Sequence, residues 1–413
     1  MSGLATVAHA LGATITGSDR SGGWPRWAHE ATGYEPAGDH AAENVPEGAQ
    51  VVYSTAIKSD NPERTTGAPE LHRADFLAEL TEIKPAICIS GTHGKTTTSS
   101  MVVHALRACG MDPAYSVGGE VRSTGANAGW GAGEWLVVEA DESDRSLLKL
   151  APRVAVLTNA ELDHHATYSS QRDVDDTFRA FLALADEVVL GEEPDLTRFP
   201  GRVARPEGVS LEPGGSRFTV DGVPVTLPVP GVHNARNAAV ALAACALAGA
   251  DPAAAADALA DFGGAGRRFE RLGSTLSGAL VVDDYAHHPT EVRATIAAAR
   301  TLEARRVVAV FQPHLFSRTR HQYREFGAAL AEADLVAVVD VYPARERAED
   351  FPGVTGRLVA AATADAAGGR RVAWLPGFDE AERFLRSELR EGDLLLTVGA
   401  GNVDALGRRL VGG

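Results

Sequence analysis

The sequence predicts an α/β protein built in three successive blocks, and three observations carry that reading. Short apolar runs alternate along the chain with longer helical patterns, the order expected of parallel sheets covered by helices. One run, Ala86-Ile87-Cys88-Ile89-Ser90, enters a glycine-rich turn, Gly91-Thr92-His93-Gly94-Lys95-Thr96-Thr97-Thr98, which opens a helical stretch reaching Cys109. Acids, histidines and arginines gather directly after the apolar runs, where the carboxyl ends of parallel strands present side chains to a ligand.

The first block, residues 1–84, reads as a helix over 2–11, a strand over 13–16 ending in Gly17-Ser18-Asp19, and a strand over 50–54. The second, 85–266, places strands at 86–90, 135–139, 154–158 and 187–190. The Pro- and Gly-rich interval 194–230 predicts short antiparallel strands and turns. The third, 267–413, places strands at 280–283, 306–311, 335–341, 371–374 and 393–398, with helices over 291–303 and 320–331.

Composition sets bounds. At 413 residues and 45% hydrophobic content the chain is long enough for several cored domains. A formal charge of -16 argues against a nucleic-acid partner, because phosphate backbones recruit excess Lys and Arg. Any anionic ligand must meet local positive sites, and lysine is scarce: Lys58, Lys84, Lys95 and Lys149 are the whole set. Cys88, Cys109 and Cys245 are widely spaced in apolar surroundings and read as reduced core thiols of a cytoplasmic protein. No apolar stretch approaches membrane-spanning length and no leader pattern is seen, so no membrane partner is expected.

The glycine-rich turn is the strongest signal. A strand, a tight turn and a helix N-terminus let backbone N–H groups wrap a phosphate, with the helix dipole favouring negative charge. Lys95 adds a mobile cation and Thr96 a hydroxyl for Mg²⁺. The usual phosphate loop has glycine five positions before Gly94, where Ile89 stands, so this is a variant loop. ATP is the expected ligand of Gly91, Thr92, His93, Gly94, Lys95, Thr96 and Thr97.

Other motifs close the remaining strands. The second central strand ends in Glu139-Ala140-Asp141-Glu142-Ser143-Asp144, where a half-buried Glu139 beside the loop strand suits a Mg²⁺ ligand. The third ends in Asn159-Ala160-Glu161-Leu162-Asp163-His164-His165; Asp144 after the second strand and Asp163 after the third could equally cap helices and face water. Asn234 and Asn237, at a helix start, could be caps or could hold an adenine edge. Arg267 and Arg268 could neutralise a γ-phosphate from a hinge or form a solvated surface pair. The third block contributes Asp283-Asp284-Tyr285-Ala286-His287-His288-Pro289 and Gln312-Pro313-His314-Leu315-Phe316-Ser317-Arg318-Thr319-Arg320.

Taken together, these segments resemble the Mur ligases, the ATP-dependent amide-forming enzymes of peptidoglycan precursor synthesis. GTHGKTTT from Gly91, EADESD from Glu139, TNAELDHHATY from Thr158, HNARN from His233, DDYAHHPTEV from Asp283, QPHLFSRTR from Gln312 and DVYPARE from Asp340 carry the resemblance. It runs from Ser18-Asp19 to Gly399-Ala400-Gly401. Within the family the motifs are nearest to members that join L-alanine to UDP-N-acetylmuramate. A relative that recycles a tripeptide onto the same sugar nucleotide typically has Tyr at Ser143 and lacks the Gln312–Arg320 stretch.

The resemblance implies a fold of a Rossmann-like N-terminal domain (1–84, incomplete at its start), a central phosphate-loop domain (85–266) and a Rossmann-like C-terminal domain (267–413). It implies that Lys95 and the loop backbone hold the ATP phosphates, that Thr96, Glu139 and His164 surround Mg²⁺, that Asn234 meets adenine and that Arg268 reaches the phosphates. Asp284, Tyr285 and His287 face the reaction centre; Arg318, with Arg320, holds the amino acid's carboxylate, although the family often has a basic residue at Leu315. Ser18, Asp19, His40 and Ser54 lie near the UDP sugar. The amine's proton goes to His287 or to a bound water. Monomer or weak homodimer is the expected assembly. The metal-bridging carbamylated lysine of several Mur ligases is excluded, because no lysine follows Lys149.

Met1-Ser2-Gly3 matches the tail of the family's first signature, a glycine loop after a strand. The expectation is that Met1 is an internal methionine taken as a start and that the natural chain is longer. The alternatives are a truncated, weakened enzyme or a non-catalytic sensor of nucleotide-sugar precursors.

Overall fold

The computed structural model describes residues 1–20 and 23–412, which fall into two compact units. The first comprises Met1–Glu161, Arg172–Arg205 and Asn237–Leu259; the second comprises Leu162–Gln171, Pro206–Arg236 and Ala260–Gly413.

The first unit is organised by a seven-stranded sheet in the order Ala126–Gly129, Ala114–Val121, Leu136–Glu139, Ala86–Ser90, Pro152–Leu157, Glu187–Leu190, Arg202–Val203. Every pairing is parallel except the first. The strand Ala86–Ser90 lies near the middle with all five residues buried, which explains its unbroken apolar run: helices cover both faces of a parallel sheet. Its register sets Ile89 opposite Glu139 and Ser90 opposite Leu157, so three strands end together around the glycine-rich turn. The helix Lys95–Ala108 leaves that turn with Met101, Val102, Val103, Ala105 and Leu106 buried. The first block contributes a helix, Ser2–Ala10, and a small parallel pair, Val51–Tyr53 with Glu70–His72.

The strand expected over residues 13–16 does not form. Among the described residues no strand lies alongside it; only an isolated bridge, Ser18 to Ala37, marks the end of the segment. A strand without a neighbour leaves its N–H and C=O groups to water, so apolar pattern alone does not order it.

The second unit holds a six-stranded sheet in the order Glu270–Ser274, Leu280–Asp284, Asp393–Val398, Arg306–Phe311, Leu335–Val338, Val372–Trp374. Only its first pair is antiparallel. One face packs Val282, Phe311, Phe326 and Leu396; the other packs Val281, Val310, Leu385 and Leu406. The strand expected over 335–341 stops at Val338. The helix expected over 320–331 starts at Phe316, so the whole Ser-Arg-Thr-Arg stretch is helical. Leu315 enters that helix at φ +68, a left-handed conformation that a pattern of apolar spacing does not signal. The interval 194–230 contains the expected antiparallel meander, Glu207–Glu212, Gly215–Val220 and Val223–Leu227. No helix among the described residues is long and apolar enough to cross a membrane.

Candidate active site

In the first unit the glycine-rich turn is tightly cut. Gly91 has φ +134, and a Cβ there would run into Thr158 Oγ1 while lying 3.1 Å from the backbone of Asn159. Gly94 has φ +80, and its Cβ would stand 2.5 Å from the Asn237 amide oxygen. Asn159 fixes the turn by accepting the His93 N–H at 2.8 Å and donating to the His93 carbonyl at 3.0 Å. Thr92 Oγ1 donates to the Glu161 carbonyl and accepts the Glu161 N–H. The helix's first internal bond is Thr98 N–H to Gly94 O, and no side chain caps it. The N–H groups of its first turn are therefore not used by the helix, the arrangement that suits a phosphate.

Lys95 curls over the turn. Its Nζ meets the Gly91 carbonyl at 2.6 Å, the Thr92 carbonyl at 3.1 Å and the buried Glu142 carboxylate at 2.8 Å. Burial works against its charge, but Glu142, then Asp141 and Glu139, hold the ammonium pKa above the ordinary lysine value. Beside it, Thr96 Oγ1 donates to Glu139 at 3.0 Å, and Glu139 also accepts the Gly118 N–H at 2.7 Å. Thr96 and Glu139 thus form an oxygen pair next to the phosphate cradle, and a hard divalent cation suits that donor chemistry. His93, 3.5 Å from Glu161 through Nε2, and Thr97 are also buried here. Glu142, Asn159 and Asn237 were not assigned to the loop by sequence reading. Glu142 stands three residues after Glu139 in the same acidic run, which is the available signal.

The first block gathers Ser18 and His40: Ser18 Oγ lies 2.6 Å from His40 Nδ1 and donates to Glu63 at 2.6 Å. Glu63 also accepts from Asn44 at 2.7 Å. Asp19 donates its backbone N–H to Ala37 O at 2.8 Å, and Ser54 is half-buried at the end of the strand Val51–Tyr53. Thus Ser18 and His40 are brought together, with Glu63 and Asn44 as partners that sequence did not flag.

In the second unit, the motifs after three neighbouring strands interlock. Gly399 N–H bonds to Asp284 O, and Gln312 N–H to Val398 O. Arg267, far from being a solvated surface residue, binds Asp283 at 2.9 Å and the carbonyls of Gly399 and Gly401 at 2.8 Å each. Its neighbour Arg268 lies 3.8 Å from Glu291 and 5.1 Å above the Tyr285 ring. Asp284 accepts the N–H groups of Ala286 and Phe269, both at 2.8 Å; burial nevertheless pushes its carboxyl up to about 6, with Arg268 opposing. Asn234 is buried and donates to the Pro230 carbonyl at 2.8 Å.

His287 Nδ1 lies 3.1 Å from the Tyr285 carbonyl, so Nδ1 carries the proton and Nε2 remains an acceptor. Glu291 receives its backbone N–H at 2.9 Å. Burial pushes this imidazole down to about 3, against the pull of Glu291. Asp163 does not face water: it is buried against Arg318, at 3.0 Å to Nε and 3.1 Å to Nη2. Burial opposes its charge, yet Arg318 holds the carboxyl well below the usual range. His164 follows at φ +51, its N–H bonded to Asp163 at 2.7 Å. Arg320 points from the same helix to the exposed surface.

Three imidazoles of this unit, His233 and His314 at about 4 and His287 at about 3, are lowered chiefly by burial. Between pH 6.5 and those values the unfolded chain takes up protons that the native unit refuses, so stability falls on acidification. Each such proton is worth about 1.4 kcal/mol per pH unit. Asp284 acts oppositely across pH 3.8 to about 6, where the native carboxyl keeps a proton the unfolded one has lost. His165, also lowered by burial, adds to the loss, and Asp283, also raised by burial, joins Asp284 against it, which leaves a net loss towards acid. The thermal midpoint is expected to drop steadily from pH 7 to pH 4.5, and His233→Gln should flatten the slope; a pH-independent midpoint would contradict the assignment.

A phosphate cradle at the head of a parallel sheet, joined in one chain to an α/β unit with buried histidine, aspartate and arginine at its strand ends, defines a phosphate-loop α/β enzyme class. The chain belongs to the Mur ligase family. Residues 1–84 match the Mur ligase family catalytic domain, 89–192 the Mur ligase middle domain and 267–401 the Mur ligase glutamate ligase domain. The UDP-N-acetylmuramate–L-alanine ligase of Thermobifida fusca is 41% identical over 100% of this chain and 93% of its own. That of Acidithiobacillus ferrooxidans is 42% identical over 98% and 94%. Among solved structures, UDP-N-acetylmuramate–alanine ligase from Thermotoga maritima aligns with a TM-score of 0.83 at 27% identity, covering 99% of this chain and 95% of that one. A murein peptide ligase from Psychrobacter arcticus shares the fold at 0.71 and 23%, with the same coverages. The α/β, three-domain architecture expected from sequence is that of these ligases.

Proposed function

We propose that this chain is an ADP-forming ligase that uses ATP to join L-alanine to the lactyl carboxylate of UDP-N-acetylmuramate. The observation that carries this is likeness along its whole length to ligases of that specificity, at 41% identity. The domains run over 1–84, 85–266 and 267–413, binding the sugar nucleotide, ATP and the amino acid in that order. Ser18, Asp19, His40 and Ser54 meet the sugar nucleotide, and Asn234 the adenine. The enzyme works in the cytoplasm, where ATP and sugar nucleotides are made, as a monomer or weak homodimer.

A carboxylate is a poor electrophile, so it first attacks the γ-phosphate of ATP, giving an acyl phosphate and ADP. The loop N–H groups of Gly91 to Thr97 hold the phosphates, and Lys95 follows the charge that spreads over the transferring group. To do so it must exchange part of its contact with Glu142 for phosphate oxygen, a trade of one anion for another within reach of a flexible side chain. Thr96 and Glu139, with His164, would hold Mg²⁺, which supplies charge neutralisation at the phosphates. Arg268 adds positive charge to the same transfer. The amine of L-alanine then attacks the acyl carbon, and phosphate leaves from a tetrahedral intermediate. Arg318, with Arg320, receives the amino acid's carboxylate; Asp284 and Tyr285 line the reaction centre. Neutral His287 offers Nε2 to the amine, but an imidazole at about 3 holds a proton only in passing, so the proton continues to water.

Sugar nucleotide with ¹⁸O in both carboxylate oxygens tests the chemistry. The expected result is one label transferred to each phosphate released, because the bridging oxygen departs with phosphorus. Unlabelled phosphate alongside amide formation would overturn the acyl-phosphate route.

A further inference from the structure

Arg318 is buried to 4% exposure on the helix Phe316–Leu330, and Asp163, at 2%, takes its Nε and Nη2 at 3.0 and 3.1 Å. The third contact is Nη1 to His314 Nδ1 at 3.2 Å. A guanidinium has five N–H donors, so these contacts leave two, both on the terminal nitrogens. That end of the fork is the one that grips a carboxylate with two parallel bonds. His314 is itself fixed, its ring stacked 5.8 Å from Tyr342 and meeting the edge of His287 at 6.2 Å. The lone buried arginine of this stretch is therefore tethered along one side and at one terminus before any ligand arrives.

We propose that Asp163 is a positioning residue for the amino-acid substrate: by clamping the Nε–Nη2 side of Arg318, it aims the Nη1–Nη2 end at the substrate's carboxylate. The inference rests on the reading of Arg318 as the carboxylate's receptor. An arginine side chain has many rotamers, and a fork already held in place loses less freedom when it binds. Asp163 also removes the need for a loose counter-ion, because a buried guanidinium without a partner is costly. The bare alternative is a competitor, in which Asp163 occupies Arg318 until the substrate displaces it.

The test compares L-alanine with L-alaninamide, which lacks the carboxylate, by phosphate release at saturating ATP, Mg²⁺ and sugar nucleotide. Wild-type enzyme should prefer L-alanine, and Asp163→Asn should shrink that preference in kcat/KM by about tenfold or more. Damage confined to folding or to metal binding would lower both amines alike and leave the preference intact. Arg318→Met should abolish the preference, and Asp163→Asn added to Arg318→Met should change it no further. If Arg318→Met keeps the wild-type preference, the receptor reading of Arg318 fails. If Arg318→Met abolishes it while Asp163→Asn preserves it or sharpens it through tighter L-alanine binding, only the positioning role is overturned. Should Asp163→Asn not fold, Asp163→Glu replaces it: a longer carboxylate displaces the fork, and an unchanged preference would overturn the proposal equally.

Discussion

Lys95→Met is expected to lower ATP-dependent phosphate release by about a thousandfold or more, the scale on which a phosphate-binding cation contributes to phosphoryl transfer. Lys95 is the one lysine at the turn, and its ammonium already sits over the Gly91 and Thr92 carbonyls, at the N-terminal end of the helix Lys95–Ala108. The substitution has a second consequence. Glu142 is 2% exposed and pairs with Lys95 at 2.8 Å, so removing the cation takes a close positive partner from a buried carboxylate, at a cost of about 3–5 kcal/mol. Loss of activity and loss of fold must therefore be separated. The double variant Lys95→Met/Glu142→Gln removes both charges of the pair, and its melting temperature should recover most of the way to wild type while activity stays absent. Activity within tenfold of wild type in either variant would remove Lys95 from the transfer.

Gly91→Ala should weaken ATP binding by about a hundredfold, through a backbone the new residue resists and a contact it cannot make. At φ +134 an alanine is strained anywhere, and its Cβ would collide with Thr158 Oγ1 while pressing the Asn159 backbone at 3.1 Å. Asn159 is what pins His93, so relief of the clash moves the turn that forms the cradle. Gly110→Ala is the matched control. Gly110 also has positive φ, +75, but a Cβ there meets nothing within 4 Å. It should lose some thermal stability and keep its nucleotide affinity by titration calorimetry. Equal affinities for the two variants would show that strain alone, and not the cradle, governs the effect.

Which features the sequence revealed follows from how local their causes are. The strand Ala86–Ser90 and its turn were legible because burial on both faces writes an unbroken apolar run and a tight phosphate turn writes glycines. The strands Arg306–Phe311 and Asp393–Val398 were legible for the first of those reasons. The antiparallel pair Ala114–Val121 with Ala126–Gly129 was not, because its glycine-, alanine- and serine-rich residues form a strand only by pairing with a neighbour. The converse error, a strand over 13–16, has the same origin: β structure is decided by partners. Among site residues, Lys95, Thr96 and Glu139 could be grouped from adjacent strand ends, and the structure places them together. The Asp163–Arg318 pair spans 155 positions: Asp163 read as a helix cap or a strand-end acid and Arg318 as a receptor for a carboxylate, and nothing in the spacing joined the two.

The most direct test of the account is phosphate release in the presence of ATP, Mg²⁺ and UDP-N-acetylmuramate, with L-alanine or a tripeptide supplied as the amine. Release that requires all components and is driven by L-alanine is the predicted result. Release driven by the tripeptide alone, or release from ATP indifferent to both amine and sugar nucleotide, would contradict it.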